Sequence, residues 1–222
     1  MIIFGARLRF MAEKKTILYL HGMGGGADSR IPSILRDSLP SCNIVCRTYP
    51  FDPEEAFCMI RAWAEELKPD LVMGESLGSL HALRINGVPH ILISPALNAP
   101  LYFGPLAWLT LIPGVSRLFG RIYKPREGDR QPLPFTFHIL RKYPRHRRLA
   151  LASSPRFGGK DFFHAFIGAR DHYLRTGIVS RKTWKKYFGE TFTSYDGTHF
   201  TEEEHIHAIV IPKILEVLNI NK

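Results

Sequence analysis

The 222-residue sequence has only three cysteines and no long uninterrupted apolar run. Cys42, Cys46 and Cys58 are an odd number without an accompanying ligand set, which excludes a disulfide framework and predicts buried thiols in a reducing compartment. The most apolar window, residues 101–119, holds two prolines, two glycines and Arg117, which argues against a membrane-spanning helix. The first ten residues lack the pattern of a signal peptide, with Met11 as an alternative start. We expect a cytoplasmic protein.

Acidic residues are scarce, with 20 Asp and Glu against 30 Lys and Arg, and the formal net charge is +10. Between positions 117 and 148 ten cations face only Glu127 and Asp129, giving a local net charge of +8. The ten are Arg117, Arg121, Lys124, Arg126, Arg130, Arg141, Lys142, Arg145, Arg147 and Arg148. Such a segment favours a phosphate-bearing ligand or peripheral contact with an anionic membrane. No nucleic-acid-binding module accompanies the charge, so we expect no nucleic-acid partner.

Short apolar runs alternate with helical patterns along most of the chain. The predicted strands cover residues 16–20, 43–48, 71–73, 90–93, 162–167 and 191–195. This alternation is typical of the α/β class, in which a mostly parallel sheet carries helices on both faces. The length and the apolar content of 45% suit one domain spanning residues 1–222.

Three helix starts carry capping signals. Asp52 precedes a proline and two acids, which predicts a helix that begins at the next residue. Ser180 predicts the start of a second helix. Thr201 with Glu204 predicts a capping box for the last helix, in which Pro212 should introduce a kink.

Residues 96–150 interrupt the regular pattern. Prolines at positions 95, 100, 105, 113, 125, 132, 134 and 144 exclude a regular strand–helix unit there. We expect a cap inserted over one end of the sheet. In one interpretation Leu101, Phe103 and Trp108 line an acyl pocket, and the basic half receives an anionic head group. In the other, the cap only packs a small core of its own, and its basic residues are solvated.

Residues 71–83 are typical of a strand, a sharp turn and a helix, with the motif G-x-S-x-G from Gly74 to Gly78 at the turn. A nucleophile on a strained turn needs small residues two positions away on either side, because side chains there would collide with the strand and the helix. The motif therefore predicts Ser76 as a nucleophile. The simpler alternative is a glycine-bounded turn in which Ser76 caps the helix.

A serine nucleophile needs a base, and the base needs a group that orients it. Asp171 follows a predicted strand and His199 lies in the loop after the last strand, so both belong to the end of the sheet where such sites form. The order serine, acid, histidine is that of one class of hydrolases. His172 remains an alternative base and Asp196 an alternative acid.

The stretch YLHGMGGGA, residues 19–27, allows two interpretations. Gly22, Gly24 and Ala27 fit the G-x-G-x-x-G/A spacing of a dinucleotide-binding turn. That site also needs an acid at the end of the next strand, and the residues there are Cys, Arg and Thr. The preferred interpretation is a loop whose backbone N–H groups stabilise an oxyanion.

Together these motifs resemble the α/β-hydrolase superfamily, and within it the small YqiA-like esterases. The similarity rests on Y-L-H-G from Tyr19, on G-x-S-L-G from Gly74, and on the late stretch G-T-H-F from Gly197 to Phe200, and it covers residues 16–95 and 160–218. It implies an oxyanion hole formed by the backbone N–H groups of Met23 and Leu77.

Around this predicted centre, His21 is expected to brace the loop and, with Gly22, to border the substrate pocket. Glu75 either tunes His199 or makes a structural contact. We expect no metal and no cofactor, because His205 and His207 point to different sides of a predicted helix.

The sequence therefore predicts a serine hydrolase. It would be an esterase or thioesterase that acts on a small-molecule ester, anionic or acyl-bearing, through an acyl-enzyme on Ser76. The alternative is a non-catalytic protein of the same fold that binds an anionic ligand or membrane surface through its basic cap. The sequence leaves the oligomeric state open.

Overall fold

The computed structural model describes residues 14–123, 127–153 and 162–220. The first ten residues, the alternative start at Met11, and the cations Lys124 and Arg126 lie outside the described residues.

Six strands form one sheet in the order β2-β1-β3-β4-β5-β6, and every pair of neighbours is parallel in the described residues. The strands are β1 (Lys15–Leu20), β2 (Cys42–Cys46), β3 (Leu71–Glu75), β4 (His90–Ile93), β5 (Phe163–Gly168) and β6 (Phe192–Tyr195). All six predicted strands are confirmed, with ends that differ by one or two residues. The strand order reverses between β1 and β3, and in open α/β sheets ligands bind in the crevice outside the carboxyl ends at such a switch point.

Helices connect the strands on both faces. They are α1 (Arg30–Ser38), α2 (Pro53–Leu67), α3 (Gly78–Ala82), α4 (Ala99–Leu109), α5 (Val115–Ile122), α6 (Phe137–Leu140), α7 (Tyr143–Ser153), α8 (Tyr173–Thr176), α9 (Arg181–Phe188), α10 (Glu203–His205) and α11 (Ile211–Val217). A π-helical segment, Ile206–Val210, joins α10 to α11 immediately before Pro212. Pro212 lacks a backbone donor, so the helix changes its hydrogen-bonding pattern where the sequence predicts a kink. No described helix is long and apolar enough to cross a membrane.

The sheet is buried on both faces, and β1 shows how. Leu18 and Leu20 belong to one apolar core, which α2, α3, α7 and α9 complete. Ile17 and Tyr19 belong to a second core on the other face, with α1, the π-helical segment and α11. Successive side chains of a strand point to opposite faces, so a continuous apolar run is what a doubly covered strand requires.

Two of the three predicted capping signals are confirmed. The Asp52 carboxylate accepts hydrogen bonds from two N–H groups in the first turn of α2, and the Ser180 hydroxyl accepts one from α9. The capping box of Thr201 is wrong. The Thr201 hydroxyl bonds the Tyr195 hydroxyl at 2.7 Å, its φ is +41°, and Glu202 occupies the position before α10.

The thiols of Cys42 and Cys46 are buried, as predicted, and burial raises the pKa of Cys46 to about 12. The prediction is wrong for Cys58, which is exposed on α2. Helix α2 buries its other side, including Ala56 and Ile60, against the sheet.

Residues 94–162, called the β4–β5 connection below, contain α4 to α7 and all ten cations counted above. Several of these cations are paired within the fold. Arg130 forms an ion pair with Asp28 at 2.8 Å, and Lys142 bonds Asp52, the N-cap of α2. Arg147 donates from Nε to a backbone carbonyl of the connection itself. The basic half therefore braces the connection against the rest of the fold.

Candidate active site

Ser76 lies on the sharp turn between β3 and α3 with a φ of +49°, a left-handed conformation that is uncommon outside glycine. A Cβ on Gly74 would lie 2.8 Å from the Cα of Ser79, and one on Gly78 would lie 2.4 Å from two backbone carbonyl oxygens. The turn therefore closes only with glycine on both sides. Strand β4 fixes it, since Ser76 N–H donates to the Ile93 carbonyl at 2.9 Å.

The structure brings Ser76, His199 and Asp171 together in one chain of hydrogen bonds. His199 Nε2 is 2.9 Å from Ser76 Oγ, and His199 Nδ1 is 2.8 Å from Asp171 Oδ2. His199 and Asp171 are almost fully buried, so water competes little for either contact. With the proton on Nδ1, Nε2 is free to accept the serine proton.

The second oxygen of Asp171 has a fixed partner as well. Oδ1 accepts a hydrogen bond of 2.8 Å from the backbone N–H of Tyr173, at the start of α8. The Tyr173 ring also lies edge-on to the His199 ring, with centroids 4.7 Å apart. The sequence prediction missed Tyr173. An aspartate that accepts from the second residue after it is a known turn pattern, so the spacing could have revealed this contact.

The alternative acid and base occupy other positions. The side chain of Asp196 is 82% exposed and pairs with Arg170 at 2.8 Å. His172 is exposed, and its ring centroid is 5.8 Å from that of His199. Neither residue has a hydrogen bond to Ser76 or His199 within the part of the chain that the structure describes.

The loop after β1 approaches the serine closely, since a Cβ on Gly22 would lie 3.1 Å from Ser76 Cβ. Among the described residues, the backbone N–H groups of Met23 and Leu77 donate no hydrogen bond to another group. Both residues line the same narrow crevice beside the serine turn. The loop after β1 and the serine turn thus each leave one N–H donor available where the sequence predicts an oxyanion hole.

His21 is completely buried under this loop and braces it. Its Nδ1 bonds the Gly22 carbonyl at 2.8 Å, and its ring stacks on Tyr49 with centroids 4.1 Å apart. Burial lowers the pKa of His21 to about 4, so the imidazole is neutral near pH 7. The Tyr49 hydroxyl donates back to the His21 carbonyl.

Gln131, from the β4–β5 connection, is a second brace that the sequence prediction missed. Its Oε1 accepts from the Gly24 N–H at 3.2 Å, and its Nε2 donates to the carbonyls of Tyr49 and Pro50. Its backbone N–H donates to the Gly25 carbonyl at 2.7 Å. The contacts span more than 80 positions of sequence, and no local pattern marks them.

The apolar residues predicted to line an acyl pocket lie elsewhere. A crevice beside the serine turn, too narrow to admit a water molecule, is lined by His21, Gly22, Met23, Tyr49, Leu77, Gly78, His81, Gln131 and Tyr143. Phe103 packs in the core against Phe51 and Tyr143. Leu101 and Trp108 are 54% and 67% exposed on the outer side of α4. Of the predicted pocket residues, only His21 and Gly22 line this crevice.

Glu75 makes a structural contact, accepting a hydrogen bond of 2.7 Å from the buried Tyr19 hydroxyl. Burial, and then the Glu75 charge, raise the pKa of Tyr19 well above its ordinary value. Within the described ranges, no group of three or more His, Cys, Asp or Glu side chains could hold a metal ion. His205 Nε2 bonds the Asp196 carbonyl, whereas His207 lies near Glu203.

Solved structures resemble this arrangement over almost the whole chain. One of the metagenome-derived lipolytic enzymes LipS and LipT superposes with a TM-score of 0.63 at 13% identity, covering 94% of this chain and 95% of that chain. Est1E from Butyrivibrio proteoclasticus gives 0.61 at 16% identity, covering 93% and 90%. The type II thioesterase BorB from the borrelidin biosynthetic cluster gives 0.54 at 17% identity, covering 93% and 94%.

The chain has the α/β-hydrolase fold. No protein-family model matches it, and no curated protein matches its sequence. In the α/β-hydrolase fold the nucleophile turn follows a central strand, and the acid and the histidine follow later strands in that order. Here Ser76 follows β3, Asp171 follows β5 and His199 follows β6.

Proposed function

We propose that this protein is a serine hydrolase, an esterase or thioesterase that forms an acyl-enzyme on Ser76. The observation that carries the proposal is the buried hydrogen-bonded chain from Ser76 Oγ through His199 to Asp171, with contacts of 2.9 and 2.8 Å. An ordinary glycine-bounded turn has no need of a strained serine that faces a buried histidine and carboxylate.

The chemistry follows from these contacts. Ser76 Oγ attacks the carbonyl carbon while its proton passes to His199 Nε2, and the carbonyl π electrons move to the oxygen. The N–H groups of Met23 and Leu77 donate to that oxyanion. Collapse of the intermediate expels the alcohol or thiol, which takes the proton from Nε2. Water then attacks the acyl-enzyme by the same route and releases the acid, and Asp171 holds Nδ1–H throughout.

The neighbouring structures support the reaction class, because the proteins just compared are described as lipolytic enzymes and a thioesterase. In this proposal residues 96–150 are the cap of a single domain, and Gln131 of the cap supports the loop beside Ser76. The narrow crevice and the packed position of Phe103 favour a small acyl group, or one that lies along the protein surface.

A fluorophosphonate probe tests the proposal directly, because it reacts with an activated serine and needs no knowledge of the substrate. We expect labelling that is lost in Ser76→Ala and in His199→Gln, and kept in Ser33→Ala, a matched change at an exposed serine on α1. Turnover of p-nitrophenyl esters and of the matching thioesters should fall by several orders of magnitude in Ser76→Ala. Folded protein that is not labelled would refute the proposal and favour the non-catalytic alternative.

A further inference from the structure

The most exposed of the large apolar side chains are concentrated in one part of the chain. Eight such side chains in the described residues are more than half exposed, and seven of them lie between positions 101 and 122. The seven are Leu101, Trp108, Leu109, Leu111, Ile112, Leu118 and Ile122. We call α4, the following turn and α5 the α4–α5 hairpin. Single exposed apolar residues are ordinary, whereas seven in one hairpin are not explained by folding.

Helix α5 lies on the surface without burying a single residue. Leu118 and Ile122 are one turn apart, so they share a face, and Arg117 and Arg121 form the adjacent stripe. All four are exposed. An apolar stripe beside a cationic one is the pattern of helices that lie in the membrane interface.

The charge of the hairpin narrows the choice of partner. Residues 99–123 contain no Asp or Glu, and their charged residues are Arg117 and Arg121. If a second copy of the chain packed its own hairpin on this surface, its arginines would face these arginines, and the like charges would repel each other. An anionic bilayer supplies both complements, an apolar interior for the leucines and isoleucines and phosphates for the arginines.

The hairpin also contacts the helix that follows Asp171. The Tyr102 hydroxyl bonds the Thr176 carbonyl in α8, the helix that follows Asp171. The eighth exposed apolar residue is Phe200, 68% exposed, and its ring centroid is 5.6 Å from that of His199.

We propose that the α4–α5 hairpin docks on anionic phospholipid bilayers, with Leu111, Ile112, Leu118 and Ile122 entering the interface and Arg117 and Arg121 contacting lipid phosphates. Docking goes beyond the proposed hydrolysis and does not require it. If Ser76 is the nucleophile, docking also makes esters dissolved in the bilayer its substrates, and this clause alone rests on the proposed function.

Vesicle co-sedimentation of the full chain carrying Ser76→Ala tests docking without any lipid turnover. Vesicles of phosphatidylcholine alone are compared with vesicles containing 30% phosphatidylglycerol, at low and at physiological salt. We expect binding that is strongest on the anionic vesicles and weakens with salt. Leu118→Ser with Ile122→Ser should weaken vesicle binding at least tenfold, because two large apolar side chains no longer transfer from water into the bilayer interface.

Two matched double variants test the contribution of charge to vesicle binding. Arg117→Gln with Arg121→Gln should weaken binding about tenfold on anionic vesicles and leave binding to neutral vesicles unchanged. Lys182→Gln with Lys186→Gln removes two exposed cations at the same spacing from α9, and should have little effect. Equal losses in both pairs would show adsorption by net charge alone and would overturn the proposal.

Trp108 reports insertion directly, because, of the three tryptophans, it is 67% exposed, whereas Trp184 is completely buried and Trp63 is half-buried on α2 under the Arg47 guanidinium. We expect a blue shift of tryptophan emission on anionic vesicles that disappears in Trp108→Phe, a change that keeps binding. Absence of vesicle binding would overturn the proposal. So would light-scattering evidence of a dimer that dissociates when Leu118 and Ile122 become serine, since a second copy would then cover the hairpin.

Discussion

Replacing Asp171 by asparagine keeps the size of the side chain but determines which polar group faces His199. In the native protein Oδ1 accepts from the Tyr173 N–H at 2.8 Å, and Oδ2 faces His199 Nδ1 at 2.8 Å. The backbone N–H of Tyr173 can only donate, so the amide oxygen of the variant must face it. The amide NH₂ then faces Nδ1 and donates to it, because an asparagine amide has one acceptor end and one donor end.

His199 must therefore carry its proton on Nε2 in Asp171→Asn, and it can no longer accept the proton of Ser76. The opposite orientation of the amide is unfavourable, because its NH₂ would then face the partly buried N–H of Tyr173 and two donors would point at each other. We expect kcat to fall by about 10⁴, the size of the loss when a triad histidine is held in the wrong tautomer. That factor corresponds to about 5.5 kcal/mol of activation free energy.

Steady-state hydrolysis of a p-nitrophenyl ester measures the loss, and ¹⁵N NMR of the imidazole reports the tautomer. Asp196→Asn is the matched control, because that carboxylate is 82% exposed and pairs with Arg170. It should change kcat by less than twofold. A kcat of Asp171→Asn within tenfold of the native value would refute the reasoning, as would a His199 that keeps its proton on Nδ1.

Three further predictions concern the supports of the site. Gln131→Ala should lower kcat tenfold to a hundredfold with little change in KM, measured on the same ester, because the glycine loop loses its buried brace. Asp52→Asn should destabilise the fold by about 2 kcal/mol in urea at pH 7, since the Lys142 ammonium loses its closer charged partner and keeps Glu54 at 3.5 Å. Burial opposes ionisation of Asp52, but the hydrogen bonds from Lys142 and from two backbone N–H groups outweigh it and lower its pKa below the ordinary 3.8. Its contribution is therefore present above about pH 4 and lost as the pH falls through the folded-state pKa, where the two proteins should converge. Gly78→Ala should lower the free energy of unfolding by about 3 kcal/mol, because the new Cβ lies 2.4 Å from two carbonyl oxygens. As a control, a Cβ added at Gly120 in α5 meets nothing within 4 Å, so Gly120→Ala should be tolerated.

The sheet and the serine turn were predictable because their signals are local. Short apolar runs suffice to predict the doubly covered inner strands such as β1 and β4, and all six predicted strands were found. The spacing of Gly74, Ser76 and Gly78 likewise reflects steric limits within five residues. The capping box failed because the left-handed backbone of Thr201 and its hydrogen bond to the Tyr195 hydroxyl, six positions earlier, take the Thr201 hydroxyl away from the helix.

The supports of the site were not predictable, because their partners are distant in sequence. Gln131 contacts Gly24 across 107 positions, and a lone glutamine in a proline-rich segment gives no reason to expect it. The apolar residues of α4 posed a different problem. Composition shows that Leu101 and Trp108 are apolar, but only the packed structure shows that both side chains remain more than half exposed.

Charge counted along a sequence also overstates the charge available to a partner. Of the cations between positions 117 and 148, Arg130 pairs with Asp28, Lys142 with Asp52, and Arg145 lies 3.6 Å from a carboxylate oxygen of α2. These ion pairs hold the connection against the rest of the fold. Carboxylates of the protein itself therefore compensate much of their positive charge. Arg117 and Arg121 of α5 are exposed and have apolar neighbours instead. The proposed contact with an anionic surface therefore depends on these two arginines rather than on a net charge of +8.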